Sequence, residues 1–290
     1  MPARASETSS RFAGLRMRLG IGMRGAAGED AYRVRRVRGA VFYTSRQEHE
    51  RLTIFVERFP GSGGDDARTY VLVHGIGVSS RYFHPLAAEL AATGRVFLID
   101  LPGYGTAPDP RRDVSIADHA EVLAGFLRRL EVPDPVLVGH SWGAQVVSML
   151  AQRHPEVPRT VVLLSPTLEP SARTAWRAIG HLLRDATREP PAVFWIAVTD
   201  YLVRCGLRYL LRQMRHMLAD RPEDRVGEHR AHTLVVNGDR DPIVSTTWAR
   251  RLADAHPDGE FHEVRGPHVI MHTEPATIAQ HITRFVAQSG

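Results

Sequence analysis

The segment Gly139-His-Ser-Trp-Gly143 holds a serine between two glycines, directly after the apolar run Val136 to Val138 and before a helical pattern. A sharp strand-to-helix turn of this kind forces its central residue into a strained backbone conformation and lifts the side chain clear of the sheet. Glycines on either side allow the backbones to approach closely. Ser141 is therefore the candidate nucleophile. A serine hydroxyl is weakly nucleophilic at neutral pH, so it needs a base within hydrogen-bond reach and an acid to orient that base. In the chain order serine, acid, histidine, the partners lie downstream. Asp239 and Asp241 stand after the apolar run Thr233 to Val236, and His268 follows in Arg265-Gly-Pro-His268, with His262 and His272 as alternatives. The chemistry implied is acyl transfer through a covalent intermediate.

Such residues must be held by a scaffold, and the hydrophobic pattern describes one. Short continuous apolar runs at Tyr70 to Val73, Val96 to Ile99, Val136 to Val138, Val161 to Leu164 and Thr233 to Val236 have the character of strands buried on both faces. They alternate with helical patterns at Tyr82 to Ala92, Ile116 to Leu130, Ala144 to Arg153, Trp248 to Ala255 and Ala276 to Ala287. This alternation predicts an α/β fold with a mostly parallel central sheet and helices on both faces. Ahead of it, Gly39 to Thr44 and Leu52 to Val56 predict an antiparallel pair.

One interruption breaks the rhythm. Residues 166–231 are helical in pattern and rich in aromatic residues, with Trp176, Phe194, Trp195 and Tyr201. They predict a helical lid inserted after the sixth strand, between core segments 31–165 and 232–290. Within it, Val203, Leu207, Leu210, Met214 and Leu218 are expected to form a buried face, beside a solvated row of Arg204, Arg208, Arg212 and Arg215. Residues 1–30 mix Arg, Gly, Ala and Ser with few large apolar groups and predict a flexible extension. Its Phe12, Leu15, Leu19 and Met23 recur at helical spacing, which leaves room for contact with a membrane surface.

Composition narrows the function classes. The formal charge of +5 comes entirely from arginine on the basic side, with no lysine in the chain, and a single asparagine, Asn237, accompanies this bias. Residue usage of this kind accounts for the basic balance, so nucleic acid is not an expected partner. One cysteine, Cys205, excludes an intramolecular disulfide and a multi-cysteine metal site. No apolar run is long enough to span a bilayer, and Arg16 and Arg18 interrupt the N-terminal stretch, so a cytoplasmic location is expected.

Four pieces in order, namely His74-Gly75-Ile76-Gly77, Asp100-Leu-Pro-Gly-Tyr-Gly105, the serine elbow and the late Gly-x-x-Asp and His segments, resemble the α/β-hydrolase superfamily over residues 32 to 287. The resemblance extends to the subgroup with a helical lid. It implies Asp241 as the acid, through Gly238-Asp-Arg-Asp241, and His268 as the base, seven residues before Pro275; Pro267 departs from the family's usual glycine. Glu169 occupies an acid position that some relatives use instead. An oxyanion hole made by the backbone N–H groups of Ile76 and Trp142 is implied as well. The resemblance implies a serine hydrolase, with carboxylic ester hydrolysis as the leading activity; the aromatic content of the lid adds the expectation of a small to medium, largely apolar acyl group in a pocket lined by Trp176, Phe194, Trp195 and Tyr201, with no metal and no organic cofactor. Thioester hydrolysis, carbon–carbon bond hydrolysis, perhydrolysis and acyl transfer would use the same three residues, and a non-catalytic ligand-binding protein would use the fold alone. Oligomeric state has no signature in the sequence.

Overall fold

The computed structural model describes residues 33–37, 40–49, 52–59, 67–129, 131, 133–167, 169–173 and 206–289. Trp176, Phe194, Trp195 and Tyr201, the extension 1–30 and much of the predicted lid lie outside them. The described strands form one sheet of nine, β1 (Arg33–Val37), β2 (Ala40–His49), β3 (Leu52–Phe59), β4 (Arg68–Val73), β5 (Gly94–Asp100), β6 (Val136–His140), β7 (Thr160–Leu164), β8 (His232–Gly238) and β9 (Gly259–Val264). Their spatial order is β1-β2-β3-β5-β4-β6-β7-β8-β9. The first three pair antiparallel and β3 joins β5 antiparallel, while every later pairing is parallel. The additional strand β1 makes Thr160–Leu164 the seventh described strand rather than the sixth.

Burial on both faces explains the uninterrupted apolar runs. In β4, Val71 and Val73 enter one core layer and Tyr70 and Leu72 the other; Ile99 and Leu98 of β5, and Leu137 and Val138 of β6, divide in the same way. Each such side chain, removed from water, contributes roughly 1.5–3 kcal/mol against chain entropy. The first layer is closed by α2 (Ile116–Arg129) and α3 (Trp142–Arg153), the second by α1 (His84–Leu90) and α6 (Pro275–Gln288). Between them in the chain come α4 (Leu207–Ala219) and α5 (Thr246–Asp254), both on the first layer.

Helix α4 keeps most of its expected face, since Met214 is buried and Leu210 and Leu218 pack partly buried against the core, but Leu207 turns outward. Tyr209, Gln213, Met214 and Met217 are buried, whereas Leu207 is 67% exposed and Leu211 is 51% exposed. Polar partners in the core hold the helix as well. Tyr209 Oη donates to the Pro102 carbonyl at 2.7 Å, Gln213 Nε2 donates to the Val114 carbonyl at 2.8 Å, and Gln145 Nε2 donates to the Met217 carbonyl at 3.0 Å. Leaving any of these buried groups unpaired would cost about 1–3 kcal/mol. The expected arginine row is solvent-facing at Arg208, Arg212 and Arg215. No helix among the described residues is long and apolar enough to cross a membrane.

The strand order creates the site. From β4 the chain moves outward to β5, then crosses back over β4 to β6, so the loops leaving β4 and β6 diverge and a crevice opens at their carboxyl ends. His74-Gly75-Ile76 follows β4 and Ser141 follows β6.

Candidate active site

Ser141 occupies the turn between β6 and α3 with φ 53° and ψ −117°, a conformation that is strained for a residue with a Cβ. Its amide donates to the Leu164 carbonyl at 3.0 Å, which ties the turn to β7. The flanking glycines are required by contact. A Cβ at Gly143 would lie 2.3 Å from the Val73 carbonyl oxygen, and one at Gly139 would lie 2.4 Å from the Gly143 oxygen. Helix α3 thus packs directly on the end of β4. Ser141 is partly exposed, in contrast to Ser79 and Ser165, which are both fully buried.

The two aspartates separate cleanly. Asp239 Oδ1 accepts from the Gly266 amide at 2.8 Å, so it orders the loop ahead of His268. Asp241 Oδ2 lies 2.8 Å from His268 Nδ1, and its Oδ1 accepts from the amides of Ile243 at 2.8 Å and Val244 at 3.0 Å. Because a carboxylate accepts, His268 Nδ1 carries the proton, and Nε2 is the basic nitrogen of the neutral ring. The His268–Asp241 pair is almost completely enclosed, with side-chain exposures of 6% and 0%. The two loops are forced together by Gly238, where a Cβ would meet the Gly266 oxygen at 2.4 Å and the Pro267 oxygen at 2.7 Å.

The alternatives are engaged elsewhere. His272 Nδ1 is 3.2 Å from the Tyr82 carbonyl, His262 packs on His281 with ring centroids 4.4 Å apart, and Glu169 Oε2 accepts from Ser245 Oγ at 3.2 Å.

His268 is tied to the serine turn through His140. The His140 Nε2 lies 3.1 Å from the His268 carbonyl, and the two rings have centroids 4.6 Å apart. The loop after β4 closes on the same turn, since a Cβ at Gly75 would sit 3.4 Å from Ser141 Cβ. Its peptide is oriented by His74. The Leu101 amide donates to His74 Nε2 at 3.1 Å, so the ring proton is on Nδ1, which donates to the Gly75 carbonyl at 2.8 Å. In a trans peptide the following N–H points the opposite way, which turns the Ile76 amide away from His74. Trp142 begins α3, where N–H groups have no intrahelical acceptor and the helix dipole favours negative charge.

Asp100 is structural. It accepts from the Ser80 amide at 2.8 Å and from both the amide and the hydroxyl of Thr106, at 3.0 and 3.1 Å. Thr106 thereby closes this turn with both its amide and its hydroxyl.

The family model for the alpha/beta hydrolase family matches residues 70–281, which takes in every one of these segments. The chain belongs to the α/β-hydrolase family. Among curated relatives of this α/β hydrolase, a pimeloyl-[acyl-carrier protein] methyl ester esterase of Aeromonas hydrophila is 32% identical over 59% of the chain. The matched region spans 66% of that esterase, just under two thirds of its length. A 2-(acetamidomethylene)succinate hydrolase of Mesorhizobium japonicum is 28% identical, covering 84% of the chain and 95% of the relative. Among solved structures, an E-2-(acetamidomethylene)succinate hydrolase superposes with TM-score 0.72 at 23% identity over 85% of this chain and 99% of that one. An enol-lactonase from Burkholderia xenovorans LB400 gives TM-score 0.71 at 18% identity, covering 83% and 99%. These superpositions show the fold.

Two residues of this α/β hydrolase escaped the sequence reading as participants. His140 was legible only as the variable position of the serine motif, and Tyr82 only as the first residue of a helical pattern. A contact between residues 82 and 140 has no local signature in the chain.

Proposed function

We propose that the protein is a serine hydrolase that cleaves a small to medium, largely apolar carboxylic ester through an acyl-enzyme. The observation that carries this reading is the joint placement of a strained, partly exposed Ser141 and an enclosed His268–Asp241 pair, bridged by His140. His268 Nε2 takes the proton of Ser141 Oγ as that oxygen attacks the acyl carbon, and the imidazolium is stabilised by Asp241. The negative charge on the former carbonyl oxygen is met by the amides of Ile76 and Trp142. His268 then protonates the departing alkoxide, and water repeats the cycle on the acyl-enzyme.

The serine separates this chain from haloalkane dehalogenase chemistry, which uses an aspartate at the elbow, although one curated relative of 33% identity over 93 residues carries that name. The ester-directed name of the Aeromonas relative supports ester over the other acyl chemistries. Trp176, Phe194, Trp195 and Tyr201 are proposed to line an apolar acyl pocket, and residues 166–231 to act as the lid. The test is a screen of esters, thioesters and amides of graded acyl length, run beside Ser141→Ala. Rates on esters should rise severalfold per added methylene until the pocket is full, since each contributes roughly 0.8 kcal/mol, and then drop. A flat profile, or a demand for a charged acyl group, overturns the substrate assignment.

A further inference from the structure

Gly75, whose carbonyl His74 holds, has its amide held as well. The Gly75 N–H donates to Tyr82 Oη at 2.7 Å, and Tyr82 Oη is 2.8 Å from His140 Nδ1. His140 Nε2 in turn lies 3.1 Å from the carbonyl of His268. The direction of every proton in this chain follows from chemistry. A carbonyl can only accept, so His140 Nε2 carries the hydrogen; a neutral imidazole then has a bare Nδ1, which accepts from the Tyr82 hydroxyl; that hydroxyl, its own proton spent, accepts from Gly75. Burial, with the charge of a protonated His268 as the second cause, pushes the His140 pKa well below its ordinary value and keeps the ring neutral. Tyr82 and His140 are buried, and their rings meet edge-on with centroids 5.4 Å apart.

Each end of this chain belongs to a different part of the proposed machinery. Gly75 precedes Ile76, the proposed oxyanion donor of the β4 loop, and its own amide is committed to Tyr82. His268 is the proposed base. The turn carrying Tyr82 is itself fixed from two sides, by Asp100 through the Ser80 amide and by His272 at the Tyr82 carbonyl.

We propose that Tyr82 and His140 are positioning residues, whose ordered hydrogen bonds set the distance between the oxyanion-hole loop and the loop that presents His268. This rests on reading Ser141 as the nucleophile. The hydroxyl of Tyr82 is bonded to Gly75 and His140, and its effect is exerted through the Gly75–Ile76 peptide. A misplacement of about 1 Å at such a donor is enough to lower a rate by about 100-fold. The expected signature is a loss in transition-state binding with ground-state binding preserved.

The experiment compares wild type and Tyr82→Phe on p-nitrophenyl butyrate, with an alkyl trifluoromethyl ketone as the tetrahedral-adduct inhibitor and a fluorophosphonate as the serine label. Tyr82→Phe should lower kcat by about 10- to 100-fold, leave KM within about twofold, and raise the ketone's Ki by the same factor as kcat/KM falls. The double variant Tyr82→Phe, His140→Asn should be no slower than the slower single variant, because both break one chain. A folded Tyr82→Phe with unchanged kcat and Ki, or with its whole loss in KM, overturns the proposal. The wild type supplies a measurement that needs no variant: the ¹⁵N signals of the His140 ring should report a neutral Nε2–H tautomer between pH 5 and pH 8, and an Nδ1–H tautomer or an imidazolium there overturns it as well. A wild type that does not label at Ser141 refutes the serine mechanism itself, a failure distinguishable from either of these.

Discussion

Asp241 Oδ2 accepts a hydrogen bond from His268 Nδ1–H at 2.8 Å, while Asp239, two residues earlier, faces the Gly266 amide instead. The two carboxylates therefore have different work, and substitution separates them. Asp241→Asn should lower kcat by roughly 10³- to 10⁴-fold with the fold retained, because an amide can donate to Nδ1 and impose the wrong tautomer. Asp239→Asn keeps an acceptor oxygen for Gly266 and should leave kcat little changed. Steady-state kinetics on both variants checks this, and an inactive Asp239→Asn beside an active Asp241→Asn would transfer the acid role.

The serine turn depends on Gly143 as a matter of space. A methyl group there would approach the Val73 and His74 carbonyl oxygens to 2.3 and 2.5 Å, and backbone at the end of a central strand cannot withdraw. Gly143→Ala should cost about 1–3 kcal/mol of stability and displace Ser141, so activity should fall even in the fraction that folds. Urea unfolding together with active-site titration would detect this. An alanine variant with full stability and activity would show that α3 does not pack on β4 as described.

Acid should destabilise the fold before it protonates the carboxylates. Burial lowers the pKa of His119 from 6.5 to about 3 and that of His229 from 6.5 to about 4. Between 6.5 and those values the unfolded chain binds protons that the folded chain refuses, so stability declines as pH falls. Each histidine contributes a slope of about 1.4 kcal/mol per pH unit in its window. Denaturant midpoints at pH 7, 6 and 5 should therefore decrease, and His229→Gln should make the decrease shallower. Equal stability at pH 7 and pH 5 would contradict the buried neutral state of these rings.

The central sheet was legible because β4 to β8 are buried on both faces, which writes an apolar run into the chain at each strand. Strand β9, Gly-Glu-Phe-His-Glu-Val, carries no such run; it lies at the sheet edge and most of its residues are partly exposed. The elbow was legible because a strained serine and close helix packing both demand glycine at fixed offsets. Composition left Asp239 and Asp241 equivalent, and only the family pattern favoured the second; the geometry distinguishes them by which amide or imidazole each one faces. In α4 the periodicity pointed to Leu207, Leu210, Met214 and Leu218, and all but Leu207 pack on the core; the inward turn of Tyr209 and Gln213 was not foreseen, because Pro102 and Val114 offer their carbonyl acceptors from far away in sequence. Long-range polar pairing of this kind has no period to read.

The central claim is that Ser141 is the nucleophile, and covalent labelling tests it most directly. Incubation with a fluorophosphonate followed by peptide mass mapping should give one adduct, on Ser141, and Ser141→Ala should be unlabelled and slower by on the order of 10⁴-fold or more. Ser79 and Ser165, each 0% exposed, should stay unmodified. An adduct on any other residue, or an alanine variant that retains hydrolytic activity, would contradict the account.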